Sequence, residues 1–277
     1  MKTETNSTLG RDYEIRYPDL TSALDQDEEW VEVSSDGTSK KIRIHDYDEM
    51  YSIPGLYEEV VYNRLKCRSP EVVTGLLAEE IAKTNNNPEE LGALNVLDFG
   101  AGNGVVADYL VRNLDCNHII GVDIISEAKE AAYRDRPGVY DDYFIADFCN
   151  LSEEDENELV SCNINALITV AALGFHDIST KAFLNASKLL PPGGWIAFNI
   201  RDKFLSETDC TGFRSTIEDM MNNSFEIVSI QRYCHRESLK GEKLYYYAII
   251  ARKTEPSAFS MQHRSFSDFC AENELSL

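Results

Sequence analysis

Three glycines and two aspartates carry the clearest chemical signal in this chain. The stretch Val96-Leu97-Asp98-Phe99-Gly100-Ala101-Gly102-Asn103-Gly104 sets an acid two residues ahead of a glycine run, between a short apolar strand and a helix. Glycines at such a junction let the backbone turn through positive φ and approach a ligand closely. Nineteen residues beyond Gly104, the stretch Gly121-Val122-Asp123-Ile124 closes a second apolar strand with another acid. An acid at that point can accept hydrogen bonds from both hydroxyls of a ribose, and it is costly to bury without partners of that kind.

Two ligand classes share this pattern. A nicotinamide or flavin fingerprint, Gly-x-Gly-x-x-Gly or Ala, would put its third small residue at position 105, where Val105 stands, and the spacing here is Gly-x-Gly-x-Gly. Asp98 would also set a negative charge near a dinucleotide's pyrophosphate. A carboxylate there suits a cationic ammonium instead, such as a methionine-type ligand carries.

The elements that must position these residues alternate. After a break at residues 85–88 (Asn-Asn-Asn-Pro), strands are expected at 95–99, 118–124, 143–148, 166–173 and 195–200. Helices are expected at 105–114, 126–136 (capped by Ser126), from Ser152 (a capping box with Asp155) and at 180–190. This order implies an α/β fold with right-handed crossovers around a mostly parallel sheet. A helix at 211–223 and strands at 225–233 and 244–252, joined by a short polar turn, close it with an antiparallel hairpin. Ahead of the break, two short strands flank Asp36-Gly37, residues 47–83 turn aromatic and apolar at helical spacing, and Ser69 before Pro70 is expected as a helix N-cap. The division read from this is an extension with the hairpin (1–40), a helical lid (41–87), the main domain (88–253) and a tail (254–277).

Composition bounds the partners. Of 277 residues, 43% are hydrophobic, enough for a sizeable core, and 26 Lys plus Arg against 48 Asp plus Glu leave a net charge of -22. That field repels phosphate backbones and anionic lipid surfaces, and the short basic groupings at 40–43 and 64–68 are interleaved with acids, so neither nucleic acid nor membrane is expected as a partner. The polar start, and the lack of any apolar run of about 18 residues, lead to a cytoplasmic expectation. Seven scattered cysteines without a C-x-x-C suggest neither a disulfide framework nor a zinc site.

From about residue 95 to 253 the chain resembles the class I S-adenosylmethionine-dependent methyltransferases. The resemblance rests on the stretch 96–104, Asp123, Asp147-Phe148 after the third strand, Leu190-Pro-Pro-Gly-Gly before the fifth, and the closing hairpin. Residues 47–70 followed by the glycine stretch look like the Williams–Beuren-region type and uncharacterised bacterial relatives. The resemblance implies a Rossmann-like sheet of seven strands with the last reversed, S-adenosyl-L-methionine as cofactor and S-adenosyl-L-homocysteine as product. It implies that Gly100, Ala101, Gly102 and Gly104 pass beneath the methionine moiety and that Asp98 orders the loop or faces the amino group. Asp123 would grip the ribose, Ile124 would pack on the adenine, and Asp147 would accept from the adenine amino group beside Phe148, with Val170 also near the cofactor. The alternative for Asp147 is a turn cap.

Methyl transfer from a sulfonium is a direct displacement, so alignment, desolvation and proton removal are the protein's tasks. The acceptor side reads Val170 to Asp177 and lacks the Asn/Asp-Pro-Pro-Tyr and Pro-Cys signatures, which lowers nucleic-acid bases and glutamine as targets. His176 is the candidate general base, with a backbone-bonded loop histidine as the alternative. Phe175 walls the acceptor pocket or belongs to the core. Tyr51 and Tyr57 offer rings to a sulfonium or simply pack, and Arg64 meets a carboxylate of cofactor or substrate or forms a surface ion pair. The leading expectation is a small-molecule acceptor; a basic protein partner and a non-catalytic cofactor-binding scaffold are the alternatives.

Overall fold

Two compact units make up the computed structural model, which describes residues 2–3, 13–19, 24–84, 94–175, 177–255 and 265–268. The first comprises Met1–Arg68 with Cys234–Leu244, the second Ser69–Tyr233 with Tyr245–Leu277. The break expected at residues 85–88 lies outside the described residues. The helix ahead of it, which the sequence division places in the lid, belongs to the second unit, which begins at Ser69.

In the first unit, β1 (Lys2–Thr3), β2 (Glu14–Tyr17), β3 (Trp30–Ser35) and β4 (Thr38–Arg43) form an antiparallel sheet in that order. The β3–β4 hairpin expected around Asp36-Gly37 forms, with both turn residues at positive φ (51° and 78°), the conformation that matches strand twist in a two-residue loop. α1 (Tyr47–Ser52) follows, then a π-helix at Glu58–Arg64 in place of a plain α-helix. The Leu65 N–H reaches back five residues to Val60 O, and Tyr57 meets Tyr62, also five apart, edge-on at 5.9 Å. The core of this unit is built from Val31, Ile42, Met50, Leu56, Val60 and Leu65.

A buried ion pair anchors the segment Cys234–Leu244, the tip of the chain's closing hairpin, within the same unit. Arg236 Nη1 lies 2.7 Å from Glu29 Oε2, with side chains 3% and 1% exposed. The Leu239 N–H donates to the other Glu29 oxygen at 2.5 Å, and Arg236 Nη1 donates to Glu237 O at 2.9 Å.

The second unit holds the seven-stranded sheet. α2 (Ser69–Thr84) leads into β5 (Leu94–Phe99), α3 (Val105–Asn113), β6 (Cys116–Asp123), α4 (Ser126–Asp135) and β7 (Asp142–Ile145). Then come α5 (Glu153–Ser161), β8 (Ala166–Thr169), α6 (Thr180–Lys188), β9 (Trp195–Arg201), α7 (Phe213–Asn223), β10 (Phe225–Glu237) and β11 (Lys243–Lys253). The order across the sheet is β10-β11-β9-β8-β5-β6-β7. β5 runs parallel to β6 and β8, and β11 runs against β9; the five-residue link to β10 is too short for a parallel crossover. This is the expected Rossmann-like arrangement. β8 is buried along its whole length, as a strand covered on both faces must be.

Local expectations fare unevenly. Ser152 caps α5, accepting from the Asp155 N–H, but only that half of the capping box forms, because the Asp155 carboxylate takes the Ser152 hydroxyl. Ser126 does not cap α4; Ile125 occupies the cap, and the Ser126 hydroxyl turns to Glu127. Ser69 sits at the head of α2 with its hydroxyl 2.6 Å from Tyr233 Oη, in the buried network described below. The tail, patternless in sequence, contributes Phe266, fully buried against Tyr247.

Removing one member of a buried ion pair strands the other charge without water. Arg236→Met is expected to lower stability by about 3–5 kcal/mol, with most of the loss recovered in the Glu29→Met, Arg236→Met double variant. Urea denaturation followed by Trp30 fluorescence in a Trp195→Phe background reads the unit concerned; a single variant as stable as the parent would contradict this.

Candidate functional site

The site is built at the carboxyl ends of β5 and β6. Asp98 on β5 pairs in register with Gly121 on β6, which pairs with Tyr143 on β7, so the three form one row across the sheet. A Cβ on Gly121 would lie 2.7 Å from the Tyr143 ring, which explains a glycine inside an apolar strand. With that space open, Tyr143 donates its hydroxyl to Gly102 O at 2.9 Å. Tyr140, in the α4–β7 connection, donates to Asp98 Oδ2 at 2.7 Å and lies 3.3 Å from Ala101 O. Arg136 completes the brace, bonding Asn103 O and the Asp108 carboxylate on α3.

Between these supports the glycine loop makes its turn. The N–H groups of Gly100 and Ala101 both donate to Val122 O, and Gly104 heads α3 in the left-handed conformation. Gly100 has φ of +80°, and a Cβ there would stand 2.9 Å from the Ala172 Cβ, so the loop after β8 lies directly against the glycine loop.

Asp98 is fully buried, and among the described residues its Oδ1 has no hydrogen-bond partner. Burial raises its pKa to about 7; the Tyr140 hydrogen bond opposes the rise and the nearby Asp123 adds to it. Asp123 accepts from the N–H groups of Gly102 (2.9 Å), Ile124 (2.8 Å) and Ile125 (3.3 Å). Its pKa is raised as well, burial outweighing those three donors. Beside it the Ile124 side chain is 63% exposed and, on the strand end next to it, Ile145 is 47% exposed. A buried acid with a vacant oxygen, a backbone cradle that side chains would fill and an exposed apolar platform suit a ligand that combines an ammonium, hydroxyls and a flat apolar ring.

The other expected residues divide. Asp147 caps a turn, accepting from the Cys149 N–H and the Asn150 amide, each at 2.8 Å, and the Asn150 bond is the main cause of its lowered pKa. Phe148 is a core residue, 3% exposed with its ring 4.8 Å from Phe99. Val170 is buried at the end of β8. Phe175 sits at φ of +51°, its ring 5.0 Å from Phe204 with Lys203 Nζ 4.4 Å above it. His176 lies outside the described residues. Tyr51, Tyr57 and Arg64 belong to the first unit: Tyr51 and Tyr57 meet at 4.8 Å in a cluster with Tyr47 and Tyr62, and the Arg64 guanidinium lies 5.0 Å from the Tyr17 ring centroid.

Sequence reading missed Tyr140, Tyr143 and Asn199. The first two are signalled only by Gly121, whose missing side chain marks a close approach. Asn199, fully buried on β9, accepts from the Ala171 N–H (2.6 Å) and donates to Ser69 Oγ (2.9 Å) and Tyr233 Oη (2.7 Å). It thereby holds Ala171 at a left-handed φ of +57° at the head of the loop after β8.

Comparison with known proteins follows the same line. The sequence model described as a methyltransferase domain matches residues 71–241. No match is found among curated proteins. Among solved structures, a SAM-dependent methyltransferase from Anabaena variabilis is 16% identical, with 76% of this chain and 96% of that one covered at a TM-score of 0.47. The N-methyltransferase NodS from Bradyrhizobium japonicum is 17% identical, with 65% and 96% covered at 0.43. The magnesium protoporphyrin IX methyltransferase from Synechocystis, solved with bound SAM, is 14% identical, with 68% and 83% covered at 0.42. With more than half of its length matched by the family's sequence model, the chain belongs to the methyltransferase-domain family of enzymes.

Proposed function

We propose that this enzyme binds S-adenosyl-L-methionine at the glycine loop and transfers its methyl group to a small-molecule acceptor. The observation that carries the reading is the vacant, buried Oδ1 of Asp98 beside a loop that accommodates no side chain at Gly100. When bound, the cofactor supplies an electrophilic methyl on a sulfonium. Asp98 would meet its ammonium, Asp123 the ribose hydroxyls, and Ile124 the adenine, with Asp147 near the adenine amino group.

The chain's own work is then alignment and exclusion of water. Asn199 and the left-handed Ala171 fix the backbone of the acceptor-side loop, and Phe175 offers that side an aromatic wall. His176 is proposed as the base that takes the acceptor's proton. Tyr51, Tyr57 and Arg64 are proposed as acceptor contacts, Arg64 for a carboxylate. A basic protein as acceptor is the second reading, favoured by the net charge of -22, which would steer it. Neither reading calls for nucleic acid or membrane. Among the described residues, no helix is long and apolar enough to cross a bilayer.

Calorimetric titration with S-adenosylmethionine, S-adenosylhomocysteine and NAD tests the cofactor. Both sulfur ligands are expected to bind, and NAD binding without them would sink the reading. Asp123→Ala is expected to weaken S-adenosylhomocysteine by roughly 100-fold, the loss of a charged pair of hydrogen bonds. A full methylation rate in His176→Ala, once an acceptor is in hand, would remove His176 as base.

A stability prediction follows from Asp98. Folding raises its pKa from 3.8 to about 7, so the folded chain holds a proton that the unfolded chain has released between those values. The destabilisation is absent below about pH 4, grows through the interval and is complete above 7. Asp98→Asn is therefore expected to stabilise the free enzyme by up to about 4 kcal/mol above pH 7 and hardly at all near pH 4, while weakening the cofactor. Thermal unfolding at both pH values, showing equal stability of parent and variant throughout, would contradict the assignment.

A further inference from the structure

We infer that Tyr140 is a positioning residue for the cofactor: its single hydroxyl proton, shared between Asp98 and the glycine loop, sets the pH range over which the loop takes a cationic ligand. The inference rests on the S-adenosylmethionine reading above and deepens it.

Tyr140 is 6% exposed, and its Oη faces two acceptors, Asp98 Oδ2 at 2.7 Å and Ala101 O at 3.3 Å. A phenol has one proton to give and a lone pair to accept with. When Asp98 is ionised, the phenol donates to Oδ2. When Asp98 is protonated there, its O–H donates to Tyr140 Oη, and the phenol proton turns to the Ala101 carbonyl. Both states are satisfied by rotating one hydroxyl, with no heavy atom displaced. In both, Oδ1 stays vacant for the ligand.

The groups that face Asp98 leave this role to Tyr140. Asp123, at the end of β6, is a second acid and disfavours ionisation of Asp98. Tyr143, from β7, gives its proton to Gly102 O. Tyr140 itself remains a donor, because burial, and then the charge of Asp98, hold its pKa well above the usual tyrosine value. The hydrogen bond from Tyr140 is thus what favours the ionised carboxylate before a ligand arrives. A cationic ammonium selects that ionised state, and the same proton movement releases or engages the Ala101 carbonyl of the loop beneath it.

The test is calorimetric titration with S-adenosylhomocysteine between about pH 5.5 and 8.5, on the parent chain, Tyr140→Phe, Tyr143→Phe and Asp98→Asn. The Asp98→Asn series subtracts the titration of the ligand's own amine. Parent affinity is expected to rise with a midpoint near 7, and Tyr140→Phe is expected to move that midpoint up by about one pH unit or more. Its affinity falls about tenfold near pH 5.5, where the ligand must first recruit the ionised carboxylate, and by less than about twofold near pH 8.5, where Asp98 is ionised in both chains. Tyr143→Phe, which loses only the bond to Gly102, weakens binding by the same factor at every pH. A Tyr140→Phe loss equally independent of pH would overturn the inference and leave the cofactor reading standing; no binding by the parent at any pH overturns both. A measurement that needs no variant is the Tyr140 hydroxyl proton in NMR spectra of the free parent chain, which is expected to move downfield as Asp98 ionises. A resonance that does not titrate would overturn the inference whether or not Tyr140→Phe folds.

Discussion

A carboxylate sealed from water at the end of a central strand must find its compensation locally, and around Asp98 that requirement sets the surrounding architecture. One oxygen is met by a tyrosine from the α4–β7 connection, and the other by nothing among the described residues. To bring the neighbouring tyrosine across the row, β6 gives up a side chain at Gly121; to let the turn pass, the loop gives one up at Gly100. These are local concessions in packing and backbone entropy, concentrated where a ligand would restore the balance. Free, the site is less stable than an apolar equivalent; occupied by a cation, it recovers what burial cost. A chain under selection for binding keeps such a residue where selection for stability alone would remove it.

Strand ends and glycine spacing make most of this legible in the sequence. Asp98, Gly100 to Gly104 and Asp123 stand out because each depends on its neighbours in sequence: an acid before a glycine run, an acid closing an apolar strand. The α/β order and the reversed last strand are legible for the same reason, since periodicity and link length are local quantities. Tyr140, Tyr143 and Asn199 work through partners that are 28 to 130 residues away, and no spacing announces them. Ser126 looked like a helix cap, but the backbone ahead of it was already engaged by Asp123, a bond set by the fold of the loop rather than by the helix signal. The π-helix at Glu58–Arg64 is harder still, because apolar residues four apart are compatible with either winding until packing decides.

The first unit follows a different physical logic. Its sheet covers a small core, and the tip of the β10–β11 hairpin is fastened by a buried ion pair as well as by Leu239 packed on that core: Glu29 and Arg236 are almost wholly dehydrated, and the Leu239 N–H shares the carboxylate. Such a pair adds little net stability over an apolar equivalent, but it tolerates no single replacement, so it specifies which segment docks more strongly than how tightly. The tyrosine cluster of α1 and the π-helix lies in this unit too, packed ring on ring. Its rings have partners among themselves whatever else they meet.

Asn199 has a consequence of another kind. Its carboxamide accepts once and donates twice, to groups on β10, α2 and the loop after β8, and each role depends on which way the amide faces. Aspartate would keep the acceptor and lose both donors; glutamine would carry the group one methylene too far; leucine would leave the Ala171 N–H without this acceptor and take a donor from each of Ser69 and Tyr233. The position therefore works as a keyed joint whose key is a single residue type. Ser69, Tyr233 and Asn199 should then be inherited as a set, so that in a sequence from this family the three together mark chains whose loop after β8 is held in this same shape.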